Sequence, residues 1–205
     1  MIRGEIAAGL EPVAQAFARC FEELGELGAG VCAYVDGEPV VDLWGGSWRR
    51  DTIVNVFSVT KPLAATCLLL LRERGRVELD EPVASYWPEF SSGATVRHVL
   101  AHQAGLVALR EPQPTELLFD WDRATGLLAA EEPWWEPGTA HGEHALWYGH
   151  LVGELVRRID GRSLGAFFRE EIAEPWGLDF HVGVGVTELE RVGFRELPFT
   201  HRPPG

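Results

Sequence analysis

Residues 31–46, VCAYVDGEPVVDLWGG, constrain this chain more than any other stretch. Two alternating β-branched and aromatic runs are joined by Asp36-Gly37. Asp-Gly between such runs specifies a two-residue hairpin, because both turn positions need a left-handed backbone. After residue 56 strand-forming sequence is scarce. A hairpin alone cannot bury both its faces and needs further strands or helices over it. The expectation is an α+β or α/β fold whose sheet is short of strands.

Most of what remains reads as helix. In residues 11–28, Val13, Phe17, Phe21 and Leu24 recur at helical spacing with acids between them, and Gly28 and Gly30 stop the run. A long apolar helix covers roughly 61–74 and ends at Gly75. "VELDEPVASYWPEF" is a turn-rich connector with a short helix. "TVRHVLAHQAGL" is a helix with Thr95 as N-cap and Gly105 as its stop. Further helices are expected over 122–130, over 144–159 (closed by Asp160-Gly161), and over 163–173 before Pro175. The domain reading is therefore an N-terminal helix and hairpin in 1–57, a mostly helical domain in 58–182, and an irregular tail with one short helix in 183–205.

Bulk composition narrows the partners. Eighteen Lys and Arg against 31 Asp and Glu give a net charge of −13, so a phosphate backbone or an anionic membrane is repelled. No nucleic acid and no membrane partner is expected. Cys20, Cys32 and Cys67 are odd in number and widely spaced, which reads as buried free thiols. The N-terminus carries acids where a signal peptide needs an apolar core, and no apolar run reaches membrane length. The expected location is cytoplasmic.

The chemistry centres on "NVFSVTKPLAATCLLLL", where Ser58 and Lys61 are three apart at the start of the apolar helix. A serine hydroxyl is a poor nucleophile until a nearby base takes its proton. Positions i and i+3 share a helix face, so the Lys61 amine can approach the Ser58 hydroxyl, and desolvation favours the neutral amine a base must be. A helix N-terminus can also supply an oxyanion donor. The plain alternative is a serine N-cap beside a solvated lysine, and the spacing alone does not separate the two.

The wider context does. "VFSVTKPLAATCLLLLRERGRVELDEPVASYWPEF", "TVRHVLAHQAGL" and "EPWWEPGTAHGEHALWYGHLVGELVRRIDGRSLGAFFREEIAEPWGLD" occur in this order. Together they resemble the serine β-lactamase-related family of class C β-lactamases, penicillin-binding proteins and carboxylesterases, closest to its esterase-like branch. The likeness covers nearly all of residues 5–182. It implies a β-lactamase/transpeptidase-like fold, an α/β part and an all-helical domain with the site between them, and an acylated Ser58 with Lys61 as its base. It implies a small ester or amide as substrate and calls for neither cofactor nor metal.

Two departures stand out. The family's second motif is a tyrosine shortly after the PGT turn, and Glu143 occupies that position. A carboxylate there would form an ion pair with Lys61 and favour its protonated form. Tyr148 lies about 140° round a helix from Glu143, a poor stand-in, and His144 is nearer. The family's third motif, Lys/His-x-Gly on a strand far downstream, has no counterpart. His181-Val182-Gly183 imitates it but falls too early. The chain thus reads as about the N-terminal half of a family member. A catalytically impaired binding module, or a fragment completed by a partner or by self-association through the open sheet edge, is the alternative.

Other residues invite weaker readings. His98 and His102 have a spacing that can hold zinc, but no third ligand is evident and capping or packing is the simpler role. Of Trp134, Trp135, Trp147 and Trp176 most are expected in the core, with Trp135 a candidate acyl-pocket wall beside His144 and Tyr148.

Overall fold

The Asp36-Gly37 turn takes the left-handed backbone its sequence demands, with φ of 52° and 83°. In this computed structural model, which describes residues 1–193, the hairpin strands are β2 (Gly28–Val35) and β3 (Glu38–Gly46). A third strand, β1 (Arg3–Ile6), pairs antiparallel with β3 and puts Arg3 opposite Trp44, giving the order β1-β3-β2. That strand was not expected, because RGEI has one apolar residue and no alternation. Close approach of the backbones is what admits it. Gly4 has φ 114°, and a Cβ there would lie 1.9 Å from the Asp42 carbonyl oxygen.

Helix α1 (Glu11–Glu23) lays its apolar stripe over this sheet. Phe17 is buried with Val41 and Leu43, and Ile2, Ile6, Phe21 and Val31 close the cluster. Phe17 and Phe21 meet edge-on with ring centres 5.3 Å apart. The helix is shorter than the expected 11–28: Leu24 follows its last residue and is exposed, and Val13 is only partly covered. Residues 184–193 belong to the same unit as Met1–Asn55. They make a 3₁₀ turn (Glu188–Arg191) and bond back to Ile53, whose N–H donates to the Arg191 carbonyl and whose carbonyl accepts from the Gly193 N–H. The rest of the tail, 194–205, lies outside the described residues.

The second unit, Val56–Gly183, is helical. A 3₁₀ turn (Phe57–Val59) leads into α2 (Thr60–Glu73), followed by α3 (Val96–Leu100), α4 (Trp121–Ala130), α5 (Tyr148–Asp160) and α6 (Leu164–Phe168). α6 runs on through a π-helical turn (Arg169–Ala173) into Glu174–Trp176. The core is built on α2 and α5. Cys67, Leu68 and Leu71 of α2, Leu151, Val152 and Leu155 of α5, and Phe167 and Phe168 are all essentially fully buried. Thr95 caps α3 through its side chain, and His98 Nδ1 accepts from the Thr95 N–H, completing a capping box. Inside the unit, Glu154 is fully buried and accepts from Arg157, Arg158 and Trp121. Burial pushes its pKa up, but those bonds outweigh burial and hold it below the ordinary carboxylate range.

Two expectations need correction. α5 starts at Tyr148, not at 144, because residues 141–144 run outside any helix and the helix opens with the Tyr148 N–H on the His144 carbonyl. Of the three thiols only Cys67 is buried, its pKa pushed up to about 12 by desolvation. Cys20 is half-buried and Cys32 exposed, since Cys32 alternates with the inward Val31 on β2. No helix among the described residues is long and apolar enough to cross a membrane.

Candidate active site

Ser58 lies at the centre of the 3₁₀ turn that opens α2. Lys61 follows three residues on, in the first turn of α2, and its Nζ lies 2.7 Å from Ser58 Oγ. The N-cap position of α2 is Val59, with no side-chain cap bond, so Ser58 is not acting as a cap. Phe57, directly before the serine, has φ 47°. A left-handed backbone on a bulky non-glycine residue costs about 1–3 kcal/mol and persists only where its surroundings impose it. Pro62 follows Lys61 in the first helical turn, where its missing N–H removes no helical bond.

Lys61 also reaches across to Glu143, with Nζ 3.1 Å from Oε1. Three side chains thus form one line from hydroxyl to ammonium to carboxylate. Lys61 is mostly buried, at 17% side-chain exposure, whereas Glu143 is 58% exposed. The lysine is therefore the desolvated member, enclosed between its two partners.

The segment carrying Glu143 is laced to the turn after α3. Trp134 N–H donates to the Gly105 carbonyl, Gly138 N–H to the Gln103 carbonyl, and Gly142 N–H to the His102 carbonyl at 3.1 Å. His144 N–H donates to His102 Nδ1, also at 3.1 Å. His102 itself has φ 59°, the second strained backbone at this site. Gly142 is packed under Trp135, where a Cβ would meet the indole at 2.5 Å, so the tryptophan braces the loop from one side.

His144 and Tyr148 form the loop's buried backing. The His144 ring is fully buried, and neither of its nitrogens has a partner in the structure. Burial first, and then the neighbouring His102 and His141, pull its pKa down to about 4, so it is neutral at physiological pH. Tyr148 is buried with its phenol pKa raised by desolvation, and its ring lies 4.7 Å from that of His102. Burial also lowers His102; the Glu143 charge opposes this, while His141 and Lys61 reinforce it.

The remaining sequence candidates fall elsewhere. His98 and His102 do not act as a ligand pair, since one ring nitrogen of each is taken by a backbone N–H. Among the described residues no group of three or more His, Cys, Asp or Glu could hold a metal. His181 pairs with Asp179. Trp147 is buried, whereas Trp134 is half-exposed under Arg110 and Trp176 is exposed. Sequence reasoning placed His102 in a packing block and missed its hold on the Glu143 loop; a polar residue just past a short helix, before Gly105, was the available signal.

The Beta-lactamase family model matches residues 14–204, and the chain belongs to that family, whose members are of the serine-hydrolase type. Its fold is accordingly β-lactamase/transpeptidase-like. Over 187 residues it is 38% identical to the esterase/beta-lactamase LipL of Mycobacterium tuberculosis (strain ATCC 25618 / H37Rv), an overlap of 83% of this chain and 42% of LipL. It is similar to the crystal structure of a family VIII carboxylesterase, with 41% identity and a TM-score of 0.85 over 94% of this chain and 56% of that one. A penicillin-binding-protein homologue from Caulobacter crescentus gives 39% identity and a TM-score of 0.86 over 94% and 55%. The chain spans about half the length of these relatives.

Proposed function

We propose that this protein is a serine hydrolase cleaving a small ester or amide through an acyl-Ser58 intermediate. The observation that carries the reading is the Ser58–Lys61–Glu143 line, with contacts of 2.7 and 3.1 Å. A nucleophile within hydrogen-bond reach of a base, the base itself oriented by a third group, is the general arrangement for covalent catalysis. Ser58 Oγ attacks the carbonyl carbon while its proton passes to Lys61 Nζ. The ester or amide bond then breaks, and the leaving group takes up that proton. Water hydrolyses the acyl-serine by the reverse proton path, restoring the hydroxyl.

Glu143 sets the resting state of this path. As an acceptor on Lys61 Nζ it orients the amine on Ser58, and an Nζ carrying its extra proton only donates and cannot take the proton of the serine. The reactive form is the one in which that extra proton has passed on to the Glu143 carboxylate. The ester-hydrolysing and penicillin-binding relatives support this class of substrate, and Glu143 at the second-motif position bears on its rate.

The test is turnover of a chromogenic short-chain ester. Hydrolysis above background that disappears in Ser58→Ala and falls at least about a hundredfold in Lys61→Ala is expected, in line with the usual contribution of a general base. Turnover unchanged in Ser58→Ala would refute the assignment.

A further inference from the structure

Glu143 is an exposed side chain in a segment with no helix or strand of its own. Its bond to Lys61 is a single contact from a carboxylate more than half in solvent and does not by itself hold the segment in place. The backbone on either side does that. Gly142 N–H donates to the carbonyl of His102, and His144 N–H donates to its ring Nδ1. A single residue therefore grips both neighbours of Glu143. It does so from a left-handed backbone at φ 59°, and its ring is seated against those of Tyr148 at 4.7 Å and His144 at 5.1 Å.

We infer that His102 is a positioning residue for the Ser58–Lys61–Glu143 line, and that its ring must offer an unprotonated Nδ1 for Glu143 to be held at Lys61. The inference rests on the reading of Glu143 as part of the proton path. The partner of Nδ1 is a backbone N–H, which only donates, so the ring nitrogen must accept. A proton on Nδ1 sets two N–H groups against each other and removes one of the two holds on the loop. The site thereby acquires an acid-sensitive latch. The charged and titratable groups facing His102 are Glu143, His141 and His144 on the loop, Lys61 from α2 and Tyr148 from α5. Of these Glu143 favours the protonated ring; burial, Lys61 and His141 oppose it, so the latch is closed at neutral pH and opens on acidification.

The test is an NMR pH titration of the isotopically labelled chain without substrate, which makes it independent of turnover. Three signals are followed: the His102 ring nitrogens, the His144 amide and the Glu143 carboxyl carbon. As His102 protonates, the His144 amide proton is expected to move upfield and the Glu143 carbon to shift in the same step. His102→Asn keeps an acceptor at the same place and tolerates the left-handed backbone. It should retain the low-field His144 amide and abolish both acid-side steps. Where turnover is measurable, His102→Leu should lower kcat about tenfold to a hundredfold with little change in KM, and His102→Asn should restore most of it. Absence of turnover in every variant counts against the hydrolase reading alone, and the titration still decides the latch. A His144 amide and Glu143 carbon that stay fixed while His102 titrates, or that respond equally in His102→Asn, would overturn it; the parent and Asn comparison suffices should His102→Leu fail to fold.

Discussion

At the residue scale the account turns on Glu143. The family resemblance places a tyrosine at this position, and the structure puts the Glu143 carboxylate 3.1 Å from Lys61. A carboxylate beside the amine only accepts, whereas a phenol can donate as well as accept. Glu143→Tyr supplies a group that does both, whereas Glu143→Gln removes the acceptor to which Lys61 passes its extra proton. Glu143→Tyr is therefore expected to raise kcat for a short-chain ester by about tenfold or better, the scale on which positioned proton transfer operates, and Glu143→Gln to lower it. A folded Glu143→Tyr chain no faster than the parent would mean that position 143 is not the second-motif site. The Ser58–Lys61 contact was legible in the sequence because residues three apart meet where the 3₁₀ turn runs into α2. The hold of His102 on the loop was not legible, since it joins residues 40 and 42 positions apart through bonds no spacing rule encodes.

At the element scale the site depends on how α2 and the α3 turn are held. α2 presents Leu68 and Leu71 to α5 with no exposed surface. Leu68→Ala should cost about 2–5 kcal/mol, the range for a large cavity in a packed core, measured by denaturant unfolding. A cost below that range would show that the α2 core repacks freely. The capping box at Thr95 is a smaller, local anchor. Thr95→Ala should cost about 1 kcal/mol and loosen the turn that carries His102, seen as faster amide exchange at Gly142 and His144. The ends of α2 and α5 were legible where an apolar stripe met a stop signal: Gly75 directly follows the Arg74 cap of α2, and Gly161 closes α5 at φ 95°, whereas α3, expected to run to Gly105, ends at Leu100. Strand β1 was not legible, because pairing with β3 rather than local pattern creates it. The start of α5 was misplaced for a related reason, since the bonds to His102 hold residues 142–144 out of the helix.

At the scale of the whole molecule the buried histidines set the acid limit. His102, His144 and His150 are all shifted downward, with burial the largest cause in each. Between the ordinary histidine value and the folded one, the unfolded chain binds protons that the folded chain excludes. Stability is thus fully present above the unfolded pKa of 6.5 and is lost as pH falls toward the folded value, about 4 for His144. That shift corresponds to roughly 3 kcal/mol from His144 alone, at about 1.4 kcal/mol per unit. The denaturant midpoint should therefore drop steeply below about pH 6.5, and a midpoint flat down to about pH 4 would contradict the burial of these rings.

The central claim is that Ser58 is a nucleophile activated by Lys61. Intact-mass measurement after exposure to a fluorophosphonate probe tests it directly, because the adduct records attack even when turnover is slow. The account predicts a single adduct, mapped by peptide sequencing to Ser58, absent from Ser58→Ala and strongly diminished in Lys61→Ala. An unmodified parent chain, or an adduct that persists in Ser58→Ala, would contradict it.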